Sequence, residues 1–122
     1  MKIDGPFYAQ MSGAADEAKR LADIGYDGVY SLEGSWGPFF PLALASEHAP
    51  QLDIATGIAV AFPRNPSHIA YQAWDLQTFS KGKFSLGIGS QIKAHIEKRF
   101  GVDFSPPAAR MREYILAVKA FF

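Results

Sequence analysis

The residues of this chain best suited to chemistry gather at the ends of apolar stretches. Gly87-Ile88-Gly89-Ser90 pairs two positions without side chains with a hydroxyl, so a planar ligand could approach the backbone while Ser90 bonds its polar groups. Turn glycines with no ligand account for the same residues. A phosphate loop is a poor match, since the run lacks both the third glycine of the dinucleotide fingerprint and a Lys-Ser/Thr ending. Glu33 offers a carboxylate that could orient a substrate or assist proton movement, with an exposed loop glutamate as the plain alternative. His95 is the histidine best placed to approach such a ligand. His48, His68 and His95 are widely spaced and have no acidic partner at a metal-ligand spacing, so no metal site is expected. Tyr8 and Trp36 could wall a ring pocket, or be ordinary core aromatics.

These positions need strands to present them, and the sequence alternates strands with helices. Lys2 to Tyr8 reads as a strand, followed by a helix capped by Ser12, with Asp16 and Glu17 early, an apolar face of Ala14, Ala18, Leu21 and Ala22, and Gly25 as its left-handed stop. A second strand, Gly28 to Leu32, leads into a helix running from Pro38 to near Pro50. The third, Asp53 to Phe62, is nearly unbroken in its apolar character, as expected of a strand buried on both faces. Asn65-Pro66 then places a capping side chain before a proline at the first helical position, and that helix runs to Gly82. The fourth strand is Phe84 to Ile88, and a polar loop follows. Ser105-Pro106 repeats the cap-then-proline start, with Met111, Ile115, Val118 and Phe122 on one helical face.

Four strand-helix units in succession imply right-handed crossovers and a parallel sheet covered by helices. An open flavodoxin-like sheet usually has about five strands, whereas a (β/α)8 barrel has eight and typically about 250 residues. The chain holds four units and stops at Phe121-Phe122 with no capping residue, so the reading favoured here is half of a (β/α)8 barrel, 1–122 forming one partial domain.

Composition narrows the function classes. With 122 residues, 48% of them hydrophobic, and zero formal net charge, the chain carries no nucleic-acid footprint and no acidic tail. It has no cysteine, which excludes disulfides, thiolate metal sites and cysteine nucleophiles and makes a cytoplasmic location the natural expectation. Its longest apolar run, Ile54 to Phe62, is far shorter than the roughly 20 residues a membrane helix requires.

Three segments, in this order, resemble the bacterial-luciferase-like superfamily. Thr56 to Pro66 is similar to its third strand and the passage into the next helix, and Gly82 to Ser90 to its fourth strand. Lys98-Arg99-Phe100-Gly101, followed by a helix with Arg110, Glu113 and Tyr114, resembles the segment beyond. The stretch Ser90 to Glu97 leans towards the branch that uses the deazaflavin coenzyme F420. The resemblance implies a two-electron oxidoreductase in which coenzyme F420, or alternatively FMN, exchanges hydride with a small organic substrate or supports its monooxygenation. It further implies that the ring rests on a bulge at Gly57-Ile58 containing a non-prolyl cis peptide; in such a site Gly89 and Ser90 are the candidates, by their place at the end of the fourth strand, to contact the ring, and Glu33 and His95 the candidates to assist the chemistry. Without the resemblance, Gly57 would be read as a residue that allows close strand packing. The family's main cofactor phosphate contacts lie on later strands, so these residues alone are expected to bind weakly. The contrasting function is a non-catalytic remnant or a small flavodoxin-like binding domain. A half barrel also leaves strand edges and inward side chains such as Val29, Ile58 and Leu86 uncovered, from which association with another copy is expected.

Overall fold

The structure is a computed structural model and describes residues 1–104 and 106–122. Its elements in chain order are β1 (Asp4–Phe7), α1 (Met11–Asp23), β2 (Gly28–Ser31), α2 (Phe39–His48), β3 (Asp53–Thr56), β4 (Ala59–Val60), α3 (Pro66–Phe79), β5 (Phe84–Ser85), β6 (Ile88–Gly89), α4 (Lys93–Phe100) and α5 (Pro107–Lys119). β1, β2, β3 and β5 form one parallel sheet in that order, and β4 pairs in parallel with β6. The third and fourth expected strands are therefore each split in two, and the pairs follow sequence order, as in a barrel wall rather than a doubly wound sheet.

Alternation along the strands creates two unlike faces. Phe7, Val29, Ile54 and Phe84 point to one side and are buried with Leu21, Leu42, Ile69 and Leu76 from the covering helices. Burying each large aliphatic chain here contributes about 1.5–3 kcal/mol. The opposite face presents Pro6, Tyr30, Ala55 and Ser85 in register and remains partly open. Val29, expected on the inner face, instead packs under the helices at 1% exposure, because a one-residue shift in parity moves a strand side chain to the other face. β3 is likewise buried on one face only. Ile58 and Leu86 are half-buried.

Local signals hold unevenly. Asn65 caps α3 by accepting from the Ser67 N–H at 2.9 Å, with Pro66 at the first helical position. Gly25 takes φ +97° just beyond α1. Ser12, by contrast, lies inside α1, whose cap position is Gln10 with no side-chain bond. Asp16 and Glu17 then fall past the first turn, where Glu17 pairs with Arg20 at 2.8 Å. Ser105 lies outside the described residues, and Pro107 rather than Pro106 takes the first position of α5. That helix buries Tyr114 and Val118 and turns Ile115 outward, so its inner face is rotated from the expected one. The expected polar loop after the fourth strand contains α4, whose single buried residue is Ile96 and whose end is Gly101 at φ +64°. No helix among the described residues is long and apolar enough to cross a membrane.

Candidate functional site

The two strand breaks fall side by side. β2 pairs with β3 up to Ser31 opposite Thr56, and β3 with β5 up to Ala55 opposite Ser85. Pairing resumes four residues on in one segment and three in the other, as Ala59 opposite Ile88 and Val60 opposite Gly89. Between the two ladders lies the Gly57–Ile58 peptide, which is cis, as the resemblance implied.

Side chains bridge this step. The Thr56 hydroxyl donates to the Gly87 carbonyl at 2.7 Å and accepts from the Gly87 N–H at 2.9 Å, so one buried side chain satisfies both backbone groups of a residue on the neighbouring strand. The fit is close enough that a Cβ on Gly87 would stand 2.1 Å from the Thr56 carbonyl oxygen, so glycine is required there by strand approach itself. At Gly57 and Gly89 a Cβ would instead meet side chains, Tyr30 Cδ2 at 2.9 Å and Ile58 Cδ1 at 3.1 Å. Gly57, Ile58, Gly89 and Ser90 are thus brought together at the C-terminal ends of adjacent strands, the face on which (β/α)8 barrels assemble their sites. Together they make a largely backbone floor flanked by one aliphatic side chain. Ser90 is half-buried and directs its hydroxyl to the Gln91 carbonyl at 3.3 Å.

Glu33 does not project as a free carboxylate. Its side chain is 5% exposed and its Oε2 accepts from the Val60 N–H at 2.6 Å and from Arg64 Nη1 at 2.7 Å. The same Arg64 nitrogen donates to the Val60 carbonyl at 2.8 Å. Neither the Glu33–Arg64 pairing nor Thr56 was visible in the sequence, since the partners stand 31 residues apart in both cases.

His95 sits exposed on the first turn of α4, while His48 and His68 occupy α2 and α3. Tyr8 and Trp36, 71% and 40% exposed, are not core residues. Trp36 lines a cleft of about 240 Å3 with Gln10, Met11, Gly37, Phe40 and Pro41, all near the starts of α1 and α2. Arg99 of α4 donates to the Gly34 carbonyl and ties the β2–α2 loop to that helix. Behind the step, Arg110 stacks 4.3 Å over Phe62 and donates to its carbonyl at 3.2 Å. The Tyr114 hydroxyl nearby has no hydrogen-bond partner among the described residues, and burial pushes its pKa up to about 12 against the pull of Arg64 and Arg110. A larger cleft, about 490 Å3, lies outside the barrel wall between α2 and α3, lined by Ala43, Trp74, Asp75, Leu76, Thr78 and Phe79. It holds none of the expected site residues.

A protein of Mycobacterium tuberculosis with no assigned function is 49% identical over all 122 residues, which make up 36% of its length. A putative coenzyme F420-dependent oxidoreductase of the same organism is 31% identical over 114 residues, 92% of this chain and 31% of its own. The chain thus spans about a third of the length of these relatives. Among solved structures, the oxygenating constituent of 3,6-diketocamphane monooxygenase from Pseudomonas putida, in complex with FMN, superimposes with a TM-score of 0.78 at 15% identity. That match covers 95% of this chain and 38% of the other, and supports the fold as a partial (β/α)8 barrel. Residues 5–122 match the family described as luciferase-like monooxygenase, and the chain belongs to it.

Proposed function

We propose that this chain supplies the ring-binding half of an oxidoreductase that uses coenzyme F420, with FMN as the alternative, to act on a small organic substrate. The observation that carries this reading is the meeting of Gly57-Ile58 with Gly89-Ser90 at the C-terminal ends of adjacent parallel strands. The residues there fit such a group: a floor of backbone and one aliphatic chain suits a planar ring, and the Ser90 hydroxyl can bond a polar ring edge. When bound, the cofactor would accept or deliver hydride. This chain's part is to seat the ring on Ile58 and Gly89, to orient it through Ser90, and to bring His95 of α4 towards the substrate side, where an imidazole can hold or move a proton. Coenzyme F420 is favoured by the relative at 31% identity, a putative coenzyme F420-dependent oxidoreductase, and FMN is supported by the P. putida structure, which is a complex with FMN.

Absorbance and fluorescence titration of the intact protein with each cofactor tests the reading. Saturable binding of one of them, weaker in residues 1–122 alone than in a longer chain carrying further strand-helix units, is the expected result. No binding of either by the longer chain would leave the non-catalytic remnant as the better account. The expected association with a second copy now rests on the exposed aromatics Tyr71, Trp74, Phe79, Phe121 and Phe122 rather than on Val29, and sedimentation at micromolar concentration reads it directly.

A further inference from the structure

The ladder between β2 and its neighbour does not end where β2 ends. The Gly57 N–H bonds to the Ser31 carbonyl at 2.8 Å, and the Glu33 N–H to the Ile58 carbonyl at 3.3 Å, the next rung of a parallel pairing. The following rung would run from the Val60 N–H to the Glu33 carbonyl. Instead the Glu33 carboxylate takes that proton, and Arg64, held by the same carboxylate oxygen, gives one to the Val60 carbonyl. On the other side, Ala59 and Ala61 donate to Gly87 and Gly89 of the neighbouring strand, both at 2.9 Å. Residue 60 is therefore the one whose backbone faces β2, and both of its polar groups end on an ion pair.

We infer that the Glu33–Arg64 pair is a positioning element of the cofactor site, standing in for one rung of β-sheet at Val60 and so fixing the floor formed by Ile58 and Gly89. Chain geometry supplies the reason. The chain makes its last backbone rung with the Glu33 N–H and then turns away into the loop that carries Trp36, and a strand cannot both leave the sheet and continue to pair. A long side chain can do so, because it returns to the edge after its backbone has gone. The carboxylate is then committed to two donors and shielded from water, an arrangement for holding geometry rather than for passing a proton to a substrate. Unpaired backbone groups at a buried strand end are costly, so loss of the pair should loosen this segment selectively.

The inference rests on the cofactor reading above, and its test separates the two. In the intact protein, Glu33→Ala removes the acceptor and strands Arg64, whereas Glu33→Gln keeps an oxygen for the Val60 N–H. The expected result is at least a tenfold rise in cofactor Kd for Glu33→Ala, recovery to within about threefold of wild type for Glu33→Gln, and an altered induced circular dichroism of the bound ring only in the former. Amide exchange at Val60 and Ala61 should quicken tenfold or more in Glu33→Ala while amides of Val29 and Ile54 keep their rates. If Glu33→Ala fails to fold, Arg64→Met, which leaves the carboxylate on the Val60 N–H but removes both the ion pair and the bond to the Val60 carbonyl, should show the same selective loosening and weaker binding. Unchanged Kd in the folded variants, or exchange that rises equally everywhere, overturns the positioning role. So does a Glu33→Gln variant that binds cofactor normally but loses one limb of the pH–rate profile, because that is the signature of a proton carrier. Wild-type protein that binds neither cofactor defeats the cofactor reading, and with it the role in positioning a ring; the exchange data would still judge the surrogate rung.

Discussion

The two ladders of this barrel wall are built by different means. In the lower one, β1 to β5, regular backbone pairing runs beneath a continuous apolar layer, with Phe7, Val29 and Ile54 each about 1% exposed. In the upper one, β4 and β6 pair over only two residues, and the join is made by Thr56, Glu33 and Arg64. The lower ladder is held by what is repeated along the chain, and the upper one by single side chains placed where repetition stops. Strength and ligand binding should accordingly separate, the first spread over many residues and the second concentrated in a few.

The largest expected effect breaks the join outright. Gly87→Ala would place a methyl group 2.1 Å from the Thr56 carbonyl, which is backbone and cannot swing aside. A loss of about 3 kcal/mol in urea unfolding is expected, near the upper end for overpacking. A variant as stable as wild type would show that the join is looser than described. Thr56→Val keeps the shape but leaves both backbone groups of Gly87 without the hydroxyl, at a cost of about 2 kcal/mol, and should also weaken cofactor binding. Asn65→Ala sharpens the comparison from the helix side. Loss of the cap on α3 should cost about 1 kcal/mol without changing the cofactor Kd of the folded protein.

Tyr114→Phe is expected to have the smallest effect, within about 0.5 kcal/mol at neutral pH, because the hydroxyl it removes has no partner among the described residues. Its signature lies in alkali. With the folded pKa near 12 and the unfolded value at 10.0, the folded state holds the proton that the unfolded state gives up. The stabilising contribution is complete below the unfolded value and is lost as pH rises towards 12. Wild type should therefore lose stability more steeply than Tyr114→Phe across that window, as followed by denaturant unfolding at successive pH values.

What the sequence made legible matches the same division. Strand-helix alternation, the Asn65-Pro66 start and the Gly25 stop are local features, encoded within a few residues, and each stands in the structure. The resemblance brought Gly57 and Ile58 to attention, and adjacency of the third and fourth strands brings Gly89 and Ser90 beside them. The splits in those strands were hidden because Asp53 to Phe62 stays apolar across the break, and hydrophobicity does not register a change in hydrogen-bond partner. Glu33 could be singled out by type but not by role, since its partner Arg64 lies beyond a helix and two strands. α4 did leave a signal, with Ile92, Ile96 and Phe100 at helical spacing before Gly101, but the charges around them read as a loop.

The central claim is that the step between the two ladders is where the cofactor ring lies. Hydrogen exchange of the intact protein, with and without saturating coenzyme F420 or FMN, tests it most directly. The account predicts new protection at residues 57–61 and 86–90, with the amides of β1 and β2 unchanged. Protection confined to the outer cleft between α2 and α3, with residues 57–61 and 86–90 exchanging as before, would contradict it.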